Sequence, residues 1–332
     1  MKKKHEKSAC CRADIIRYGS RRRQCVNCQR TWSAWRRKRG RKKKRVNQSF
    51  VISFLNREIA SLASLSKKRR CSEARTQNML KNSREQFMRR TSWTAIPDGD
   101  LLLIADAVVE MIEGCWHTVY LMLVRSTESN AAIILPPHFA VGTETEPGWR
   151  SAMDTLPTSI MSRICAIVCD GHKGLVQEGV WRNWVIQRCH FHLLARIQSR
   201  RSLFRIGRNK EEANKIFKHV RVVLYSLNEV EVSLSLNVLE EIGWISTSSE
   251  IRTVLSGFVN KYRDYRSYLY YPELNLPITN NTAESLASSI ADLKTRMRGF
   301  PTLRSFKQWI IALLKFKKSI ACNGFYQQNK KG

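Results

Sequence analysis

The sequence predicts an α/β domain on a mixed sheet, preceded by a small cysteine-bearing module and a helical segment. Three observations carry this. Apolar, strand-like runs alternate with helical stretches from residue 98 to 187, two pairs of cysteines bracket a short hairpin-like segment near the start, and positive charge is concentrated in the first 95 residues.

The charge narrows the partner first. Lys and Arg number 58 against 27 Asp and Glu, a net charge of +31 in 332 residues, far beyond what solubility needs. A polyanion is the expected ligand. Double-stranded DNA ranks first, because cations that displace condensed counterions bind phosphates strongly and with a salt dependence; an anionic membrane surface is the rival. No apolar run reaches the length of about 20 residues that a bilayer span needs, and the opening MKKKHEKSACCRAD has basic residues without an apolar stretch behind them. The chain is therefore expected to be cytoplasmic and nucleoid-associated, with no membrane partner. Its ten cysteines are then read as reduced thiols or metal ligands rather than disulfides.

Residues 1–35 hold Cys10, Cys11, Cys25 and Cys28 on either side of RADIIRYGSRRRQ. Two cysteine pairs on tight turns flanking a hairpin too small for its own core suit a tetrahedral, structural zinc ion, and a zinc ribbon is expected. The first pair is irregular: Ser8 stands where a Cys-x-x-Cys would put its first thiol, so that Cys10 or His5 takes that place, and a metal-free hairpin is the alternative. Residues 36–95 form a basic linker, RRKRGRKKKR, and two or three helices, with Ser72 as an N-cap. They read as a helix-turn-helix-like DNA-binding region or as a helical hairpin that only links the ribbon to the body. Arg36, Arg37, Lys42, Lys43, Arg69 and Arg70 are its expected DNA contacts.

The body, 96–332, begins at Pro97 and Gly99. Runs at 101–109, 117–125 and 131–135 read as three antiparallel strands, 147–156 as a helix, and 163–170 and 184–189 as further strands separated by a helix that starts near Leu175. That order is the order of a ribonuclease-H-like fold. Residues from about 193 to 275 read as helical throughout, an all-α insertion.

In such an order the first and fourth strands are neighbours, which would bring Asp106 and Asp170 to one edge of the sheet. Paired carboxylates raise each other's pKa, and a divalent cation removes that cost. Two Mg²⁺ or Mn²⁺ ions about 4 Å apart can clamp the attacking and leaving oxygens of a phosphoryl transfer. The bland reading of Asp170 is a loop cap. A third carboxylate is offered by Glu284, in the first turn of an amphipathic helix whose apolar face is Leu286, Ile290, Leu293 and Met297; there the alternative is simple complementation of the helix dipole.

DGHKGL (170–175), QRCHFH (187–192), TNNTAESL (279–286) and RGFP (298–301) together resemble the mutator-type transposases of bacterial insertion sequences. The similarity runs from about 98 to 315, and the front end resembles that of their variant zinc-binding branch. The resemblance implies a DDE transposase with Asp106, Asp170 and Glu284 as the metal-binding triad, and Cys189 and His192 as a C-x-x-H pair that orders the neighbourhood of the active site. Ala287 stands where the pattern has Asn, and the tail beyond Glu284 is short, so a decayed copy is one alternative. A non-enzymatic, sequence-specific DNA-binding regulator is another. The expected reaction is hydrolysis at the 3′ ends of an element followed by attack of the freed 3′-OH on target DNA, by a homo-oligomer, a dimer, bound to terminal repeats. Lys173, Arg196, Arg200, Arg201, Arg296 and Arg298 are further candidate phosphate contacts, with solvated surface charge as the alternative for each.

Overall fold

The computed structural model describes residues 7–8, 10–18, 22–33, 49–203, 210–246 and 249–325. The chain divides into two compact units, Met1–Asn47 and Gln48–Gly332. The first holds a three-stranded antiparallel sheet of β1 (Ile15–Tyr18), β2 (Arg22–Cys25) and β3 (Thr31–Ser33). This is the expected hairpin with one more strand.

The second unit is a mixed α/β structure around one sheet. Its longest strands, β4 (Leu101–Ile112) and β5 (Cys115–Ser126), form an antiparallel hairpin, and β8 (Ile164–Cys169) runs parallel to β4 with β9 (Val185–Arg188) outside it. On the other side β5 pairs with β6 (Ala131–Ile134) and β7 (His138–Val141), and β10 (Ser319–Ala321) closes the edge beyond β6. The expected third strand, 131–135, is β6, and β7 is a further, unanticipated strand on the same neighbour. Pro136 and Pro137 fall between them, and proline offers no N–H to a ladder.

Both faces of the sheet are covered, and the period-two alternation of the strands sorts their side chains into two cores. Leu102, Ile104, Leu121, Leu123, Ala166 and Val168 pack on one face with Leu286, Ile290 and Leu293 of α12 (Asn281–Met297) and Trp309 and Leu313 of α13 (Leu303–Lys317). Leu101, Leu103, Ala105, Tyr120, Met122, Ile167 and Cys169 face the other way, onto Trp149 of α4 (Glu146–Met153), which the short α5 (Thr158–Met161) follows, and Leu175 of α6 (Lys173–Trp181).

The front helices α1 (Ser49–Leu55), α2 (Leu62–Arg69) and α3 (Glu73–Arg90) share the first of these cores, through Phe54, Leu65, Leu80 and Phe87. Ser72 caps α3 as expected, accepting from the Arg75 N–H. The compact division therefore falls at Asn47, whereas the sequence places the start of the body at 96. The helices are amphipathic, and the apolar side of α12 and α13 is where they bury that face.

Between β9 and α12 the described residues form the helices α7 (His190–Leu203), α8 (Lys210–Tyr225), α9 (Glu229–Ile245), α10 (Ser249–Val259) and α11 (Tyr262–Tyr270). These helices have a core of their own, with Val220, Leu224, Leu239, Leu255 and Phe258. Two connections hold α11 to β9. The Gln187 side chain accepts from the Tyr268 N–H and donates to the Tyr265 carbonyl, and the Ser267 hydroxyl donates to the Ile186 carbonyl. Among the described residues, the segment expected to be helical, about 193–275, contains no strand, and its first helix starts at His190.

Leu286 is fully buried where α12 meets the sheet. Leu286→Ala should cost about 2–5 kcal/mol, read as a lower urea midpoint with an unchanged slope. A change below about 0.5 kcal/mol, typical of surface positions, would mean that α12 does not rest on β4 in solution.

Candidate functional site

β4 pairs with β8 as far as Ile104 opposite Val168. Two residues further along each chain stand Asp106 and Asp170. Alternation puts Asp106 on the face of Leu102 and Ile104, and its cross-strand partner Leu121 lies in the same core. Asp170 likewise continues the face of Ala166 and Val168. Both therefore turn toward the side that α12 covers. Asp170 directly follows β8, whereas Asp106 lies within β4, because the β4–β5 hairpin continues to Ile112 after β8 has stopped.

Glu284 sits in the first turn of α12, and the start of that helix is bolted to the same strand ends. The buried Asn280 side chain donates to the Ala105 carbonyl at 3.1 Å, and its backbone N–H donates to the Cys189 thiol at 3.2 Å. The Cys189 N–H donates to the Cys169 carbonyl, and the His190 N–H to the Ile278 carbonyl. One asparagine thus joins β4, the end of β9 and α12 beside all three carboxylates. In the sequence, TNNTAESL stands out for its resemblance and for Glu284, with no role of its own assigned to Asn280.

The electrostatics report the convergence. Burial, first, and then the negative charges of Asp170, Glu144 and Glu284 push the Asp106 carboxyl up to about 7, against the opposing N–H of Ala107. Glu144 was not anticipated. It follows β7, accepts from the Trp149 indole N–H at 2.6 Å, lies 3.5 Å from His172 Nδ1, and is itself raised by burial. Asp170 accepts from the His172 N–H at 2.8 Å, which closes the turn after β8 and is the expected loop-capping bond. Gly171 takes φ +97° in that turn, and an added Cβ would strike the Arg188 guanidinium at 2.1 Å. Only glycine suits the position.

Glu284 has a second set of neighbours. Ligand atoms of Cys189, His192 and Glu284 lie within 4.8 Å of one another, whereas Asp106, Asp170 and Glu284 do not form such a group. His192 Nδ1 is 3.4 Å from Glu284 Oε1, yet both atoms are buried without a hydrogen bond. Burial pushes the Cys189 thiol up to about 11, so it is a neutral acceptor for Asn280 at ordinary pH.

Among the expected phosphate contacts, Lys173, Arg196, Arg298, Arg69 and Arg70 are exposed. Arg69 lies over the Phe50 ring, and Arg70 and Arg298 are left-handed C-caps. Arg296 is nearly buried, bound to Asp292 and the Phe54 carbonyl and stacked over the Phe54 ring, so its charge is engaged inside the protein. Arg36, Arg37, Lys42 and Lys43 lie outside the described residues, as do the side chains of Arg200 and Arg201.

In the first unit, the four thiols of Cys10, Cys11, Cys25 and Cys28 lie within 4.8 Å of one another. The Cys28 N–H and the Ser8 hydroxyl pull the Cys25 thiol down to about 6, and Cys28 pushes the Cys11 thiol up. Both members of the CC pair are present in the cluster, and His5 lies outside the described residues. Four converging sulfurs are the donor set that a structural zinc takes.

The raised Asp106 carboxyl has a pH consequence. Between its unfolded value near 3.8 and its folded value near 7, the unfolded chain releases the proton that the folded chain retains. Stability contributed by the protonated group is therefore lost as pH rises through this window, and the loss is constant above it. In chelator, Asp106→Asn should raise the melting temperature, with a gain that grows from about pH 4 to pH 7 and then levels off. A pH-independent change would show that Asp106 is not held in this environment.

A family model described as "Transposase, Mutator family" matches residues 132–319, more than half of the chain. The matched span contains Asp170, Cys189, His192 and Glu284 and begins after Asp106. No curated protein matches the chain, and no helix among the described residues is long and apolar enough to cross a membrane. With the site's motifs inside the matched span, the chain belongs to the Mutator family of transposases, a family of DNA-processing enzymes.

Proposed function

We propose that this protein is a DDE transposase with a ribonuclease-H-like catalytic core, and that Asp106, Asp170 and Glu284 are its metal-holding carboxylates. The observation that carries the reading is the shared face: alternation along β4 and β8 turns two aspartates toward the helix whose first turn bears Glu284. Antiparallel β6–β5–β4 followed by parallel β8 and β9 supports the core fold.

The residues present suit divalent ions of the magnesium type. Asp106 is a carboxylate whose ionisation is opposed by burial and by three like charges, and Glu284 Oε1 is a buried acceptor without a donor. Two such ions would neutralise the charge of the scissile phosphate and of its leaving oxygen. The chain's own part is positioning. Asn280 fixes the helix that carries Glu284, and the Asp170–His172 bond and Gly171 fix the turn that carries Asp170. Exposed Lys173 stands at the start of α6, where a cation can meet a neighbouring backbone phosphate. Phosphoryl transfer needs mainly this placement and charge neutralisation, without a covalent intermediate. Hydrolysis at an element's 3′ end followed by attack of the freed 3′-OH on target DNA is the proposed reaction. The first unit, with zinc on Cys10, Cys11, Cys25 and Cys28 as in the zinc-binding branch, is assigned to recognition of the element's ends.

Asp170→Asn and Glu284→Gln should each reduce strand cleavage in magnesium by at least about 10²–10³-fold while binding to end-sequence DNA is kept. Cleavage retained by either purified variant would sink the triad. For the first unit, metal analysis should find one zinc per chain, released by Cys25→Ser, with preference for end DNA lost before random-sequence binding. A metal-free protein with full preference would leave the cluster as a set of plain thiols.

A further inference from the structure

On the α12–α13 side of the second unit, away from the carboxylates, α3 and the start of α13 enclose an open cleft of about 250 Å³. Its walls are unusual in charge. Arg84 and Lys81 enter from α3 and Arg304 from the first turn of α13, with Gln77, Asn78 and Ser305 between them. Among the described residues no carboxylate forms an ion pair with any of the three cations.

Arg84 is the informative residue. It is 4% exposed, stacks over the Trp309 ring at 4.8 Å, and gives one terminal nitrogen to the Gln308 side chain. Its Nε is buried with no hydrogen-bond partner. A guanidinium buried over an indole with an unused N–H is a poor arrangement for stability alone, since an unsatisfied buried donor is costly and the nearby Glu85 favours its charge without pairing with it. Burial, first, and then Arg304 oppose its charge while Glu85 favours it, and the net effect lowers its pKa to about 10, which leaves it protonated at neutral pH. An anion in the cleft would bring counter-charge to this guanidinium and to the exposed Lys81 and Arg304 beside it, which among the described residues have no paired carboxylate. The N-terminus of α13 is not what attracts it, because the Leu303 N–H is already bound to Glu113 and the Ser305 N–H to the Thr302 cap.

We propose that this cleft takes a backbone phosphodiester of bound DNA, with Arg84 as its fixed floor and Lys81 and Arg304 as its exposed clamps. The planar fork of arginine suits a phosphate's oxygens, and the half-open cleft admits a strand running across it. Gln77 and Asn78 extend the polar wall along the same face of α3, so that α3 would lie along the DNA backbone. A contact of this kind positions the duplex and carries no sequence information. The proposal rests on DNA being this transposase's substrate.

The test uses the full-length protein, a random-sequence duplex and a salt series followed by fluorescence anisotropy. Lys81 and Arg304 are exposed, so Lys81→Gln and Arg304→Gln remove the clamps without opening the core. Each should weaken binding roughly fivefold at physiological salt and reduce the slope of log K against log salt by about 0.9, the value for one phosphate contact. Steep, salt-dependent binding by the unaltered protein with unchanged binding by both variants would overturn the cleft and leave DNA binding intact. If the unaltered protein itself bound the duplex without salt dependence, the DNA reading would fail and the cleft with it. An equal loss from Lys218→Gln, an exposed lysine on α8 that does not line the cleft, would trace the effect to overall charge and overturn the proposal. A second arm compares melting in inorganic phosphate and in chloride at equal ionic strength. Stabilisation by phosphate that Arg304→Gln loses, with duplex binding unchanged, would give the cleft to a free anion and also overturn it.

Discussion

The architecture depends on two adjacent parallel strands, β4 and β8, that are buried on both faces. Because successive side chains point to opposite sides, each strand serves two cores at once. One core is closed by α4 and α6, the other by α12 and α13. Continuing the same alternation past the last paired residues turns Asp106 and Asp170 to the α12 side. A one-residue slip of either strand would send its aspartate to the opposite face and its leucines or valines with it, so the apolar packing that stabilises the sheet also sets the direction of the carboxylates.

That coupling explains which features were legible in the sequence. Apolar runs at 101–109 and 163–170, each holding an aspartate at an even spacing from Leu102 or Ala166, carry the placement of Asp106 and Asp170 in their periodicity. The apolar face of α12 is equally readable, and with it the position of Glu284 in the first turn. What escaped was set by tertiary contact. Glu144 lies in a loop after a strand that Pro136 and Pro137 separate from its predecessor, and no local pattern marks it as a neighbour of Asp106. Asn280 is one of two adjacent asparagines, and only the approach of Ala105 and Cys189 shows which one ties the helix to the sheet. Arg296 illustrates the opposite error: a basic residue in a basic chain invites a phosphate role, yet it is bound to Asp292 and Phe54.

The front helices raise the same point at larger scale. Basic clusters and a composition shift near residue 96 suggest a module separate from the body, but among the described residues the buried apolar side chains of α1, α2 and α3 belong to the core they share with α13. Charge patterning reports the partner of a surface; the unit to which a helix belongs is decided by where its apolar side is buried. The net charge of +31 thus speaks to DNA as ligand of a Mutator-family transposase and is silent on domain boundaries.

The proposed ion-holding site of Asp106, Asp170 and Glu284 on the α12 side of the sheet differs in composition from the Cys189–His192–Glu284 group beside it. Anomalous diffraction from crystals soaked in manganese tests this directly. The account predicts signal between Asp106 and Asp170, with Glu284 completing the coordination. Signal confined to Cys189, His192 and Glu284, with none at the two aspartates, would contradict it.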